Sequence, residues 1–81
     1  MPIRTEAEAL HLEAVCGVEE ALALLEQLAA APPPGIDLSA CTHLHTALVQ
    51  VLVACRPRIL APPEDAFLAR WLMPLLPAPL P

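Results

Sequence analysis

The sequence predicts a small α/β domain in which a short strand precedes a helix three times. Three observations lead there. ALHLEAV at residues 9–15 alternates apolar and polar side chains, the period of a half-buried strand. VEEALALLEQLAAA at 18–31 and TALVQVLVAC at 46–55 carry apolar residues at helical spacing. Short apolar segments, IDLS at 36–39 and RILA at 58–61, lie between and after the helical ones. Strands separated by helices imply a mostly parallel sheet with right-handed crossovers and helices packed on it.

In the first strand Leu10, Leu12 and Ala14 fall on one side, and His11 and Glu13 on the other. After Gly17 the helical stripe Val18, Ala21, Leu22, Leu25, Leu28 and Ala29 is expected to face the core. Glu19 and Glu20 fill its first turn, where the helix dipole favours acids. The competing reading is one helix over residues 6–31 in an all-helical bundle, which Gly17 and the alternation before it oppose. PPPG at 32–35 ends the first helix, and a strand at Ile36 to Ser39 follows.

The second helix, 46–55, contains only Thr46 and Gln50 as polar residues and stops at Arg56 before Pro57. At about 100° per residue, Leu48, Val51, Leu52 and Cys55 share the face assigned to the core, leaving Thr46, Val49, Gln50 and Val53 on the opposite one. After the third strand, PPEDAFLARWLM opens the last helix on prolines and acids. Its apolar set is Phe67, Leu68, Trp71, Leu72 and Leu75, with Phe67 and Trp71 expected in the core and a stop near Pro74. Residues 1–76 read as one domain, and 77–81 as a loose proline-rich tail.

Composition narrows the function. A chain of 81 residues has room for one core, and 57% hydrophobic content leaves apolar surface for a partner. Four arginines, no lysine and a net charge of -5 provide no basic stripe, so nucleic acid is not an expected ligand. The longest apolar runs, Ala21 to Leu25 and Val51 to Cys55, fall far short of the roughly 20 residues of a membrane span. MPIRTEAEAL contains no apolar block of the signal-peptide kind, and the expected location is cytoplasmic. Cysteines at 16, 41 and 55 include no CxxC and read as reduced thiols. With two glycines, no phosphate loop and no nucleophile elbow, the chain is not expected to be an enzyme, and no cofactor is expected.

IDLSACTHLHTAL at 36–48 concentrates the remaining chemistry in Ser39, Cys41, Thr42, His43, His45 and Thr46. Cys41, His43 and His45 alternate, so extended backbone would turn all three the same way, and thiolate with imidazole suits Zn(II), Ni(II) or Cu. A small metal-binding protein is therefore the alternative reading, with His11 the available fourth ligand. The other reading makes these residues polar members of a turn.

The same stretch resembles the STAS domain of sulfate transporters and anti-sigma-factor antagonists. In that family a strand ends in Asp-Leu-Ser, a turn follows, and Asp-Ser/Thr-Ser/Ala-Gly-Leu opens an apolar helix. Asp37, Leu38 and Ser39 match the strand end, Thr46 falls on the phosphorylatable position and Ala47 on the small one. His45 stands in place of the family's aspartate, and Leu48 in place of its glycine. The resemblance runs over roughly residues 9–76 and implies a shortened STAS-like sheet without the first strand. It further implies a non-catalytic regulatory domain in which Thr46 is the candidate phospho-acceptor. The expected contact surface is His43, His45, Thr46, Val49, Gln50 and Val53, and the partner is a kinase-like regulator, a transport or signalling subunit, or a second copy of the chain.

Overall fold

The computed structural model describes residues 3–6 and 9–77. Six strands, β1 (Ile3–Glu6), β2 (Ala9–Leu12), β3 (Ala14–Cys16), β4 (Gly35–Asp37), β5 (Cys41–Leu44) and β6 (Ile59–Ala61), combine with three helices, α1 (Ala21–Leu28), α2 (Thr46–Cys55) and α3 (Ala66–Leu72). The main sheet has the order β1-β2-β4-β6, with β1 antiparallel to β2 and the other neighbours parallel. It is a mixed, mostly parallel sheet with three helices. No helix among the described residues is long and apolar enough to cross a membrane.

The register explains how these short strands hold together. Leu10 lies opposite Ile36, and Ile36 opposite Ile59, so one apolar row crosses the three parallel strands. Slipping any strand by one residue would turn this row to solvent, which is why patterning alone specifies the pairing. Leu10, Leu12, Ile36 and Leu38 form one buried cluster with Leu24 and Leu28 of α1, Leu48, Val49 and Leu52 of α2, and Leu68 and Leu72 of α3. Alternation puts Arg4, Glu6, His11 and Asp37 on the other side of the sheet. There Arg4 bonds Glu6 and lies 3.1 Å from Glu13, while His11 lies 3.5 Å from Asp37.

Several expectations are corrected. The sequence reading placed no strand before Ala9, but β1 occupies Ile3–Glu6, where Ile3 and Thr5 pair with Leu12 and Leu10, and Ile3 packs against the core. The single strand expected over 9–15 is two, because Ala14 adopts a left-handed φ of 56° that redirects the chain. β3 then pairs with β5 in a separate two-stranded parallel sheet, so residues 41–44 are strand rather than turn. The part of the expected tail beyond Pro77 lies outside the described residues.

The helices differ from expectation in phase. α1 begins after a 3-10 turn, Val18–Glu20, and buries Leu24 and Leu28, while Val18, Leu22 and Leu25 of the predicted inward stripe are exposed. A 3-10 turn advances about 120° per residue rather than 100°, so Val18 is not carried onto the face that the later leucines bury. In α2, Val49 is buried with 8% of its surface accessible, whereas Val53 is 41% exposed. Val49 lies only about 60° from Leu52 around the helix, within the arc that a small core covers, and its assignment to the outer face is wrong. In α3, Asp65 caps the first turn by accepting from the Leu68 amide at 2.9 Å. Leu68 and Leu72 then reach the core, and Phe67 (78% exposed) and Trp71 face outward instead of packing inside.

Candidate functional site

The segment between β4 and α2 is held by two local devices. At the end of β4 the Asp37 Oδ1 accepts from the Ser39 amide at 2.8 Å and from the Ser39 hydroxyl at 2.6 Å. These bonds stabilise the ionised carboxylate, and the Ser39 hydroxyl is the largest cause holding Asp37 below the usual carboxylate range. A lowered pKa in the folded state means that the folded chain binds this proton less readily than the unfolded chain. The stabilisation is complete above the unfolded value, near 3.9, and is lost as pH falls through the lower folded value. Denaturant titrations between neutral pH and pH ~2 should therefore show a smaller acid-induced loss of stability in Asp37→Asn than in wild type.

The second device is His45. It sits in extended backbone just before α2, and its Nδ1 accepts from the Ala47 amide at 3.0 Å. The His45 carbonyl accepts the first helical bonds, from Leu48 at 2.9 Å and Val49 at 3.2 Å, and the His45 amide donates to Cys16 at 3.0 Å. His45 is thus the helix cap, and Thr46 is the first helical residue rather than the cap. Removing the imidazole in His45→Ala should cost about 0.5–1 kcal/mol, while His45→Asp should retain or increase stability because aspartate is a favoured cap and suits the helix dipole. Urea midpoints read both.

The side chains predicted for the site separate into two groups. His43, His45, Thr46, Gln50 and Val53 are exposed along β5 and the outer side of α2. The Thr46 hydroxyl has no hydrogen-bond partner among the described residues. Val49 does not belong to this surface, being in the core beneath it.

Cys41 is also withdrawn. The β3–β5 register shifts between Ala14 and Val15, so that Cys41 faces Ala14 while His43 faces Val15. Thr42 and His43 are consequently both exposed, and Cys41 is fully buried with its thiol donating to the His43 carbonyl at 3.4 Å. The alternation that would turn Cys41, His43 and His45 the same way is broken. Among the described residues no three His, Cys, Asp or Glu side chains gather as a metal site. Cys41 instead meets Cys16 of β3, whose thiol is pushed up by the hydrogen bond with Cys41 first and by burial second.

Two residues that sequence reasoning missed adjoin this surface. Val15, opposite His43 in the register, is exposed, and so is Val18 at the start of the next turn. The pair Leu24 and Leu28, four residues apart, is a second apolar stripe in α1 and was the available signal that Val18 and Leu22 could face outward. Two clefts of about 500 and 310 Å³ lie elsewhere, one between β6 and Met73 and Leu76, the other between Gln27 and the prolines at 32–34. None of the predicted site residues lines either one.

Comparison with family models, curated proteins and solved structures gives no significant match for this chain.

Proposed function

We propose that this chain is a non-catalytic, STAS-like regulatory domain that binds another protein through His43, His45, Thr46, Gln50 and Val53, with phosphorylation of Thr46 as the control. The observation that carries the reading is the exposed Thr46 hydroxyl, without a hydrogen-bond partner among the described residues, on the first residue of a capped helix that is reached from Asp37-Leu38-Ser39 at the end of β4 by way of β5. A phosphoryl group there would bring about -1.5 to -2 charge to the positive end of α2, where the helix dipole favours it. The flanking imidazoles of His43 and His45 would repel that charge less than the family's aspartate does. Gln50 and Val53 continue the exposed side of the helix by one and two further turns and supply a polar and an apolar contact.

The reading loses one member of its original contact set, since Val49 cannot meet a partner without leaving the core. What remains is a largely polar surface with Val53 as its apolar member and exposed Val15 beside His43, suited to a regulated, reversible contact. Intact mass and peptide mapping of the chain isolated from its host test the control directly. One phosphate on Thr46, absent from Thr46→Ala, is expected. Affinity capture with wild type, Thr46→Glu and Val53→Asp then tests the surface: a partner held by wild type should be lost or weakened in both variants. An unmodified Thr46 together with identical partners in all three would contradict the proposal.

A further inference from the structure

Cys16 and Cys41 are nucleophilic side chains that the proposed contact does not use. Cys16 ends β3 and Cys41 begins β5, both are fully buried in one core cluster, and their thiols hydrogen-bond each other. The third cysteine, Cys55, lies apart from them at the C-terminal end of α2. What separates the pair from water is weak. Among the described residues β3 and β5 pair only with each other, and a two-stranded ladder gains little from pairing alone. Ala14 holds a left-handed φ of 56°, and the register shifts directly after it. Ala14, Val15, Thr42 and His43 are exposed along the ladder, so it is one strand layer thick over the thiols. Strained, solvent-facing pairing of this kind belongs to the part of a fold that opens locally, and opening here uncovers both thiols together.

We propose that Cys16 and Cys41 form an intramolecular disulfide when hydrogen peroxide reaches the opened β3–β5 ladder, and that the bond then holds the ladder shut. Cys41 attacks first: the hydrogen bond from Cys16 is the largest cause holding its thiol below the usual range, and burial, which opposes the thiolate, is relieved on opening. Its thiolate attacks one peroxide oxygen, the O–O bond breaks, and the hydroxide that leaves takes up the thiol proton as water. The product is a sulfenic acid on Cys41. The Cys16 thiol then attacks that sulfur, the S–S bond forms, and the departing hydroxide leaves with the Cys16 proton as a second water. The two thiols lose two electrons and the peroxide gains them. The bond bears on the candidate surface through the backbone. Cys41 directly precedes Thr42 and His43 on β5, and the Cys16 carbonyl accepts from the His45 amide at 3.0 Å, so both ends of the disulfide are tied to the segment that carries His43 and His45. The inference needs no modification of Thr46 and stands apart from the proposed function.

Peroxide treatment of the reduced full-length chain, followed by alkylation under denaturing conditions, intact mass and non-reducing peptide mapping, tests it. Alkylation should fall from three cysteines to one, the remaining alkyl group should be on Cys55, and a peptide containing Cys16 should be joined to one containing Cys41. Dithiothreitol should reverse the link, and Cys55→Ser should form it equally well. Amide hydrogen exchange over residues 42–45 should slow by at least about tenfold in the oxidised protein and return to its former rate on reduction. Cys16→Ser should show neither the link nor the slowing. If that variant does not fold, oxidised and re-reduced Cys55→Ser supply the same comparison within one folded chain. Three alkylated cysteines after peroxide, a link through Cys55, sulfinic acid in place of the link, or unchanged exchange in the linked protein would each overturn the proposal.

Discussion

Val49→Asp should lower the stability of the domain by about 3–5 kcal/mol, while Val53→Asp should stay within about 0.5 kcal/mol of wild type. The two valines are one helical turn apart on α2 and look equivalent in the sequence. Val49 is in the core cluster with Leu48 and Leu52, so an aspartate there places an unpaired carboxylate among apolar side chains. Val53 already meets water. A small domain of this length is expected to be stable by only about 4–12 kcal/mol, so the first substitution consumes much of the margin and the second almost none. Urea unfolding of both variants against wild type measures the difference. Equal stability of the two would place Val49 back on the outer face.

The second large effect concerns the phase of α1. Leu24→Ala should cost about 2–5 kcal/mol, because Leu24 is fully buried and its removal leaves a cavity between helix and sheet. Leu22→Ala should change stability by less than about 0.5 kcal/mol, since it trims an exposed side chain and inserts the best helix former. The stripe that periodicity first suggests would reverse this order. Thermal or urea unfolding of the two alanine variants decides between the phases without any knowledge of the partner.

The parts of the fold that were legible in the sequence are those with one dominant signal. Alternation at Leu10 and Leu12, helical spacing at 46–55 and the proline stops at 32–34 and 57 correspond to β2, α2 and the ends of α1 and α2. What could not be read depends on information outside the local pattern. α1 is so rich in alanine and leucine that two stripes fit it, and only the 3-10 turn at Val18–Glu20 and the packing against α2 choose between them. The same ambiguity hid the burial of Val49. The break at Ala14 could not be read because alanine gives no hint of a positive φ; it follows from the pairing of β3 with β5, a non-local contact. That pairing also decides the candidate site. It sends Cys41 into the core and His43 to the surface, which separates a ligand set that spacing alone puts together. His45 as a cap was similarly obscured, since histidine is a weak cap by preference and its role is visible only in the bond to the Ala47 amide.

The account depends most on which sides of α1 and α2 are packed against the sheet. Solvent paramagnetic relaxation of the methyl groups, measured by NMR with a soluble spin probe, reads this residue by residue. Methyls of Leu24, Leu28, Leu48, Val49 and Leu52 should be protected, and those of Val18, Leu22 and Val53 strongly attenuated. Protection of Leu22 together with attenuation of Val49 would contradict the account.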